Sequence, residues 1–197
     1  RRAREKMQEP GFGALTQLSS SFCSGLFTGE RGQSYDDPVH AFLLDMAPHH
    51  LDLARHLAGE VAQVSLHHHL SGDGVALALA LKFESGAVGT MQLSSFRIWW
   101  RNYDRIELTG RGEYLVLDDL WRLKHYTEAA NTFTENWSDE RSGELTGDGP
   151  CLAEFVAAIR ESRQPMCSMR DAVETMRLYE AIYDAVRADR HGVEYQR

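Results

Sequence analysis

Large and small apolar residues alternate through Val75-Ala76-Leu77-Ala78-Leu79-Ala80-Leu81-Lys82-Phe83. A period of two marks a strand, whose side chains point to opposite faces in turn. One face of this strand is bulky; the other is Ala-rich, flat and still apolar. An antiparallel strand with one solvated face alternates apolar with polar positions instead. The pattern therefore predicts helices on the bulky face and another subunit on the flat one. Glu84-Ser85-Gly86 predicts a hairpin turn into a strand over Ala87 to Phe96. The period of two runs from Val61 to Trp121 and gives further strands at Tyr103 to Thr109, Glu113 to Asp118 and Trp121 to Tyr126. Gly110-Arg111-Gly112 joins the first two of these as a tight turn. An earlier strand is predicted at Ala14 to Phe22, and weak strand character at Phe133 to Trp137 inside the polar stretch Asn131 to Gly149.

Elsewhere the period lengthens to that of a helix. Arg1 to Glu9 predicts the tail of a helix that begins before residue 1, ended by Pro10-Gly11-Phe12-Gly13. Gly25 to Pro38 predicts a loop long enough to be functional rather than merely connecting. Leu53, Ala54 and Leu57 recur at helical spacing, and Gly59 stands where such a helix ends. Pro48 is tolerated only in a first turn, so that helix starts near Asp45 to Pro48. In a later helix Leu152, Phe155, Val156 and Ile159 share a face, and Pro165 follows its end. Ser168 caps a last helix whose face carries Ala172, Val173, Met176, Tyr179, Tyr183 and Val186. Helix tail, strand, helix, a run of strands and two helices make an α+β domain over 1–197: a mostly antiparallel open sheet with helices packed on one face.

The 197 residues include 21 basic and 29 acidic side chains, a net charge of −8, with no basic tract. Nucleic acid is not an expected partner. No run of 18 apolar residues is present, so no membrane helix is expected either. The basic start lacks the apolar core of a secretory signal. Cys23, Cys151 and Cys167 are odd in number and show no CxxC spacing. They read as packing residues in a reducing, cytoplasmic setting.

The candidate chemistry concentrates between Asp45 and His56. Asp45 and His49 are four residues apart and share a face if both are helical. A carboxylate beside an imidazole fixes its tautomer and stabilises the cation, whereas a helix N-terminus disfavours it. An imidazole balanced in this way can carry a proton near neutral pH. An Asp at a helix start is also an ordinary cap, and spacing alone leaves both readings open. Asp52 reads as a first-turn carboxylate favoured by the dipole, and His50 and His56 as surface or packing residues. His67-His68-His69 puts two imidazoles on one strand face, but no further ligand stands at a recognisable spacing, so no metal is expected. Trp99-Trp100-Arg101-Asn102-Tyr103 suits either a sugar-binding surface or an interface anchor. Trp100 and Asn102 are its candidate substrate contacts. Gly11-x-Gly13 lacks a third glycine and precedes a strand, so it is no dinucleotide fingerprint.

Asp45-x-x-x-His49-x-x-Asp52-Leu53-x-x-x-Leu57-x-Gly59 resembles the D-x-x-x-H-x-x-D-L-x-x-W-L-x-G signature of the Gfo/Idh/MocA oxidoreductases. Phe83-Glu84-Ser85-Gly86-Ala87-Val88-Gly89 is similar to the family's F-x-x-G-A-x-G hairpin, and Ile106 to Gly112 to its strand and glycine turn. Phe155 to Ile159, Pro165, Asp171-Ala172 and Gly192-Val193 are similar to its C-terminal helical pair. One departure is His56, where the family carries Trp. The resemblance implies the C-terminal α+β domain of a two-domain enzyme whose N-terminal Rossmann domain binds NAD or NADP. It implies that His49 is the acid/base on a substrate hydroxyl, with Asp45 holding that hydroxyl and orienting His49. It also implies a sugar, polyol or related small-molecule substrate, and a homo-oligomer through the open sheet face. The family's E-K-P lysine falls outside this chain, so these residues alone are expected to be inactive. The competing expectation is a stand-alone, non-catalytic domain that dimerises or binds a small molecule. A His-based metal hydrolase is a third reading, which bound zinc would be needed to support.

Overall fold

The structure, a computed structural model, describes residues 2–24, 37–72, 74–96, 103–119, 122–127, 132–136 and 148–193. Among the described residues nine strands form one sheet: β1 (Gln17–Cys23), β2 (Val61–Ser71), β3 (Gly74–Phe83), β4 (Val88–Ser94), β5 (Tyr103–Thr109), β6 (Tyr114–Asp118), β7 (Arg122–Tyr126), β8 (Thr132–Asn136) and β9 (Gly192–Val193). Their order is β8-β7-β6-β5-β1-β4-β3-β2-β9. Every pairing is antiparallel except β1 with β4, because β1 is inserted between β4 and β5. The helices are α1 (Arg2–Met7), α2 (Pro38–Asp45), α3 (Ala47–Ala58), α4 (Asp148–Arg160) and α5 (Met169–Arg187). This is the α+β sheet that the alternation predicts.

The bulky face of β3 is the buried one. Val75, Leu77, Leu79, Leu81 and Phe83 alternate with exposed or half-buried partners and join Leu18, Met91 and Leu93 in one core with the helices. The hairpin forms at Gly86, whose φ of +87° is the left-handed value glycine tolerates. Gly110 is needed for a different reason: a Cβ there would overlap the Phe12 carbonyl. The flat face of β3 carries Ala78 and Ala80 in the open. Its neighbours across the sheet are small or polar, with Ala80 opposite Thr90, Thr90 opposite Ser19, and Ser19 opposite Glu107.

Several expectations need correction. Pro38, expected to close a loop, is the first residue of α2, which the sequence pattern did not reveal; residues 25–36 of that predicted loop lie outside the described residues. The stripe of α5 is rotated from the predicted one: Thr175, Leu178, Tyr179, Ile182, Ala185 and Val186 are buried, while Ala172 and Val173 are exposed. The predicted apolar face of α4 exists, but it is exposed, with Leu152 at 64% and Ile159 at 63%. Cys151 and Cys167 are exposed rather than packed.

Candidate functional site

Asp37 caps α2, its carboxylate accepting hydrogen bonds from the backbone N–H groups of Val39 and His40. The Tyr183 hydroxyl donates to the same carboxylate at 2.7 Å, and Tyr179 pairs with His40 at 2.8 Å. These contacts moor α2 to α5. Burial pushes the Asp37 carboxyl up, but the bonds from Tyr183, His40 and Val39 outweigh it and hold it below its ordinary value. The chain then breaks at Met46, whose N–H closes α2 on Phe42 at 3.1 Å, and α3 begins without a side-chain cap.

Asp45 and His49 flank this break. They lie on two helices rather than one, Asp45 at the last residue of α2 and His49 in the first turn of α3. Both are exposed, and neither makes a hydrogen bond or ion pair among the described residues. The end of a helix is an unfavourable place for an anion, because the dipole is negative there. Local structure therefore gives no reason for Asp45, and its capping role passes to Asp37.

Behind them lies a pair that the sequence reading missed. His50 is 5% exposed and Asp104 7%. Their closest approach, Nε2 to Oδ2, is 3.8 Å, and His50 Nδ1 and Asp104 Oδ1 are buried without a partner. The His50 ring lies against Phe22, with centroids 4.1 Å apart. Burial pushes Asp104 up to about 7, aided by the charge of Asp119. Burial pushes His50 down to about 4, aided by His49. A signal for His50 was present: Ala47, His50, Leu51, Ala54 and Ala58 form the buried stripe of α3 at helical spacing. Asp104 carried no comparable signal, because its burial depends on a strand from elsewhere in the chain.

Phe22 and Asp104 are cross-strand partners, so the pair marks the end of the sheet where β1 finishes and β5 begins. Trp100 and Asn102 lie outside the described residues. The strand ends on either side of them, Ser94 and Tyr103, both pair with Cys23 at this end.

The other candidates are placed elsewhere. Asp52 accepts from the Thr175 hydroxyl at 3.0 Å and joins α3 to α5. Buried Arg55 donates to both carboxylate oxygens of Glu60, to Thr175 and to the Asp171 carbonyl. His56 pairs with Arg4 of α1 at 3.0 Å. His67 lies near His191, and His68 approaches Asp189 at 3.3 Å. Among the described residues no group of three or more His, Cys, Asp or Glu is arranged to hold a metal. None of the described helices is long and apolar enough to cross a membrane.

A family model, the GFO/IDH/MocA C-terminal domain, matches residues 1–116, more than half of the chain. The chain belongs to the GFO/IDH/MocA family. No curated protein matches it. Among solved structures, a dehydrogenase from Chromobacterium violaceum is similar at 21% identity and a TM-score of 0.80, over 95% of this chain and 59% of that one. An oxidoreductase from Agrobacterium radiobacter, solved with NAD+, L-tartaric acid and magnesium, is 16% identical with a TM-score of 0.79, over 96% of this chain and 59% of that one. Levoglucosan dehydrogenase in complex with NADH and levoglucosan is 17% identical with a TM-score of 0.78, over 98% and 62%. At these identities the likeness establishes the fold. The chain spans about three fifths of the length of each of these structures.

Among the described residues, the starts of α2, α3 and α5 do not fit the pyrophosphate of a dinucleotide. Pyrophosphate binding needs open N–H groups at a helix start after a glycine-rich turn. Here the first turn of α2 is taken by Asp37, that of α5 by the Ser168–Asp171 capping box, and α3 opens on Pro48.

Proposed function

We propose that this chain is the substrate-handling domain of a nicotinamide-dependent oxidoreductase acting on a hydroxyl of a sugar, polyol or related small molecule. One observation carries the reading: Asp45 and His49, an exposed carboxylate and an exposed imidazole, flank a helix break and make no hydrogen bond or ion pair among the described residues. A hydroxyl on its way to a carbonyl must lose its proton, and a free imidazole is suited to take it. His49 takes that proton and returns it in the reverse direction. Asp45 accepts a hydrogen bond from the hydroxyl and fixes its position. Trp100 and Asn102 contact the remainder of the substrate. The dinucleotide is held by other polypeptide, so the 197 residues alone turn nothing over. The flat sheet face is the contact between copies.

The test uses the polypeptide as its own cell makes it, assayed with NAD+ or NADP+ against a panel of sugars and polyols. His49→Ala lowers kcat by about 10²-fold or more, the usual worth of a positioned acid/base. Unchanged turnover would remove His49 from the chemistry. Saturable binding of a sugar without any turnover would favour a non-catalytic binding role.

A further inference from the structure

Most of the buried polar side chains of this fold are bonded, as burial requires. Arg55 donates to Thr175, His125 pairs with Glu113 at 2.6 Å, and the Ser95 hydroxyl accepts from the Val75 N–H at 2.8 Å. His68 and Glu174 each bury one unbonded atom, but each has a partner through its other atom, His68 with Asp189 and Glu174 with Arg177. His50 and Asp104 differ. Each buries a polar atom with no hydrogen bond among the described residues, and the approach between them, 3.8 Å, is longer than a hydrogen bond. Apolar side chains would fill the same space without stranding a polar atom. A pair that costs stability, next to an exposed imidazole, points to a role outside folding.

Its place in the fold says which role. α3 begins without a side-chain cap, and in its first turn Ala47 and His50 are the buried residues. At the other end Arg55 ties the helix to α5 through Thr175 and the Asp171 carbonyl. At the first turn the His50 ring enters a notch between Phe22 of β1 and Asp104 of β5, which are cross-strand partners. The Asp104 carbonyl accepts the Asp119 N–H at 2.7 Å, so this wall of the notch is fixed. Consecutive side chains leave a helix about 100° apart, so the seating of His50 sets the direction of His49. We infer that His50 and Asp104 are positioning residues for His49: Asp104 seats His50 in the notch, and that seat aims His49 at the substrate hydroxyl. The inference rests on the proposed function. Neither residue is catalytic; both act through His49. Burial favours the neutral form of each group. The Asp104 O–H is then a donor facing the His50 Nε2, and a contact that is long in the free protein can shorten in the substrate complex.

The experiment compares Asp104→Leu and Asp104→Asn in the polypeptide as its own cell makes it. It measures kcat and KM with NAD+ or NADP+ and the sugar or polyol that the unmutated polypeptide turns over fastest, and reads folding by thermal melting. Leucine keeps the volume and loses the pairing, whereas asparagine keeps the volume and still donates through its amide. Asp104→Leu is expected to fold and to lose about 10- to 100-fold in kcat, the cost of a misaimed group, with KM changed by less than about threefold. Asp104→Asn is expected to recover most of that loss. A folded Asp104→Leu with unchanged kcat would overturn the positioning role, and so would a loss confined to KM. Asp104→Asn as slow as Asp104→Leu would overturn it too, because the carboxyl itself would then be the active group. If Asp104→Leu does not fold, His50→Phe replaces it, keeping a ring against Phe22; unchanged kcat there overturns the role in the same way. These results leave the proposed function standing. No turnover by the unmutated polypeptide on any member of the panel would overturn the proposed function, and the positioning role with it.

Discussion

The two ends of α3 are built on opposite terms. At its C-terminal end every charge has a partner: Arg55 is bonded to Glu60, Thr175 and the Asp171 carbonyl, Asp52 is bonded to Thr175, and Arg4 covers His56. At its N-terminal end Asp45 and His49 are exposed and make no hydrogen bond or ion pair among the described residues, and His50 and Asp104 each bury a polar atom without a hydrogen bond there. Satisfied polar groups fix a structure, whereas unsatisfied ones cost stability. One end of the helix is organised to hold the fold, whereas at the other Asp45 and His49 make no hydrogen bond or ion pair among the described residues.

Substitutions at the two ends should therefore separate cleanly. Arg55→Ala removes the hydrogen bonds to both Glu60 carboxylate oxygens, the Thr175 hydroxyl and the Asp171 carbonyl, and is expected to cost about 3–5 kcal/mol, the usual result of breaking a buried pair from one side. His49→Ala should change stability by less than about 0.5 kcal/mol in the same denaturant titration, as exposed positions do. Equal losses at the two positions would erase the distinction.

The buried pair predicts a dependence on pH. The Asp104 carboxyl has a folded pKa raised to about 7 against an ordinary 3.8, so its contribution is fully present below 3.8 and is lost as pH rises towards 7. His50 has a folded pKa lowered to about 4 against 6.5, so its contribution is present above 6.5 and is lost as pH falls towards 4. Asp104→Asn should therefore gain on the wild-type melting temperature as pH rises from 4 to 7, and His50→Phe as pH falls from 6.5 to 4. Parallel melting curves across that range would show that neither group has a perturbed pKa.

Asp37→Ala removes the α2 cap and the Tyr183 bond. It should cost about 1–2 kcal/mol at neutral pH by thermal melting. It should also loosen the position of Asp45 without touching it. The smallest effect on folding is expected from Ala78→Glu on the bare flat face. Its melting curve should match wild type, while sedimentation shifts to a smaller species if that face joins copies. An unchanged sedimentation profile would leave the face as ordinary surface.

Much of this arrangement was legible in the sequence. Strict alternation marks β3, Gly59 ends α3, and Ser168 caps α5 as predicted, because each signal acts within a few residues. The D-x-x-x-H spacing pointed to Asp45 and His49, although not to their division between two helices. α2 escaped notice because Pro38 and the preceding glycines and aspartates suggest a loop, while the cap that starts the helix is tied down by Tyr183, 146 residues away. His50 seemed an ordinary residue because its significance depends on Asp104.

By itself, the sequence determined most of the segments that become strands and helices, and which residue types between Asp45 and His56 are chemically able to carry a proton. Those properties depend on residue type and short-range periodicity. Tertiary structure decided which of these residues are committed and which are free. It gave Asp52 to Thr175, put Asp104 within 3.8 Å of His50, left Asp45 and His49 without a hydrogen bond or ion pair among the described residues, and left Leu152, Phe155 and Ile159 of α4 exposed. Hydrogen bonding and burial are settled between segments far apart in the chain, and no local pattern encodes them.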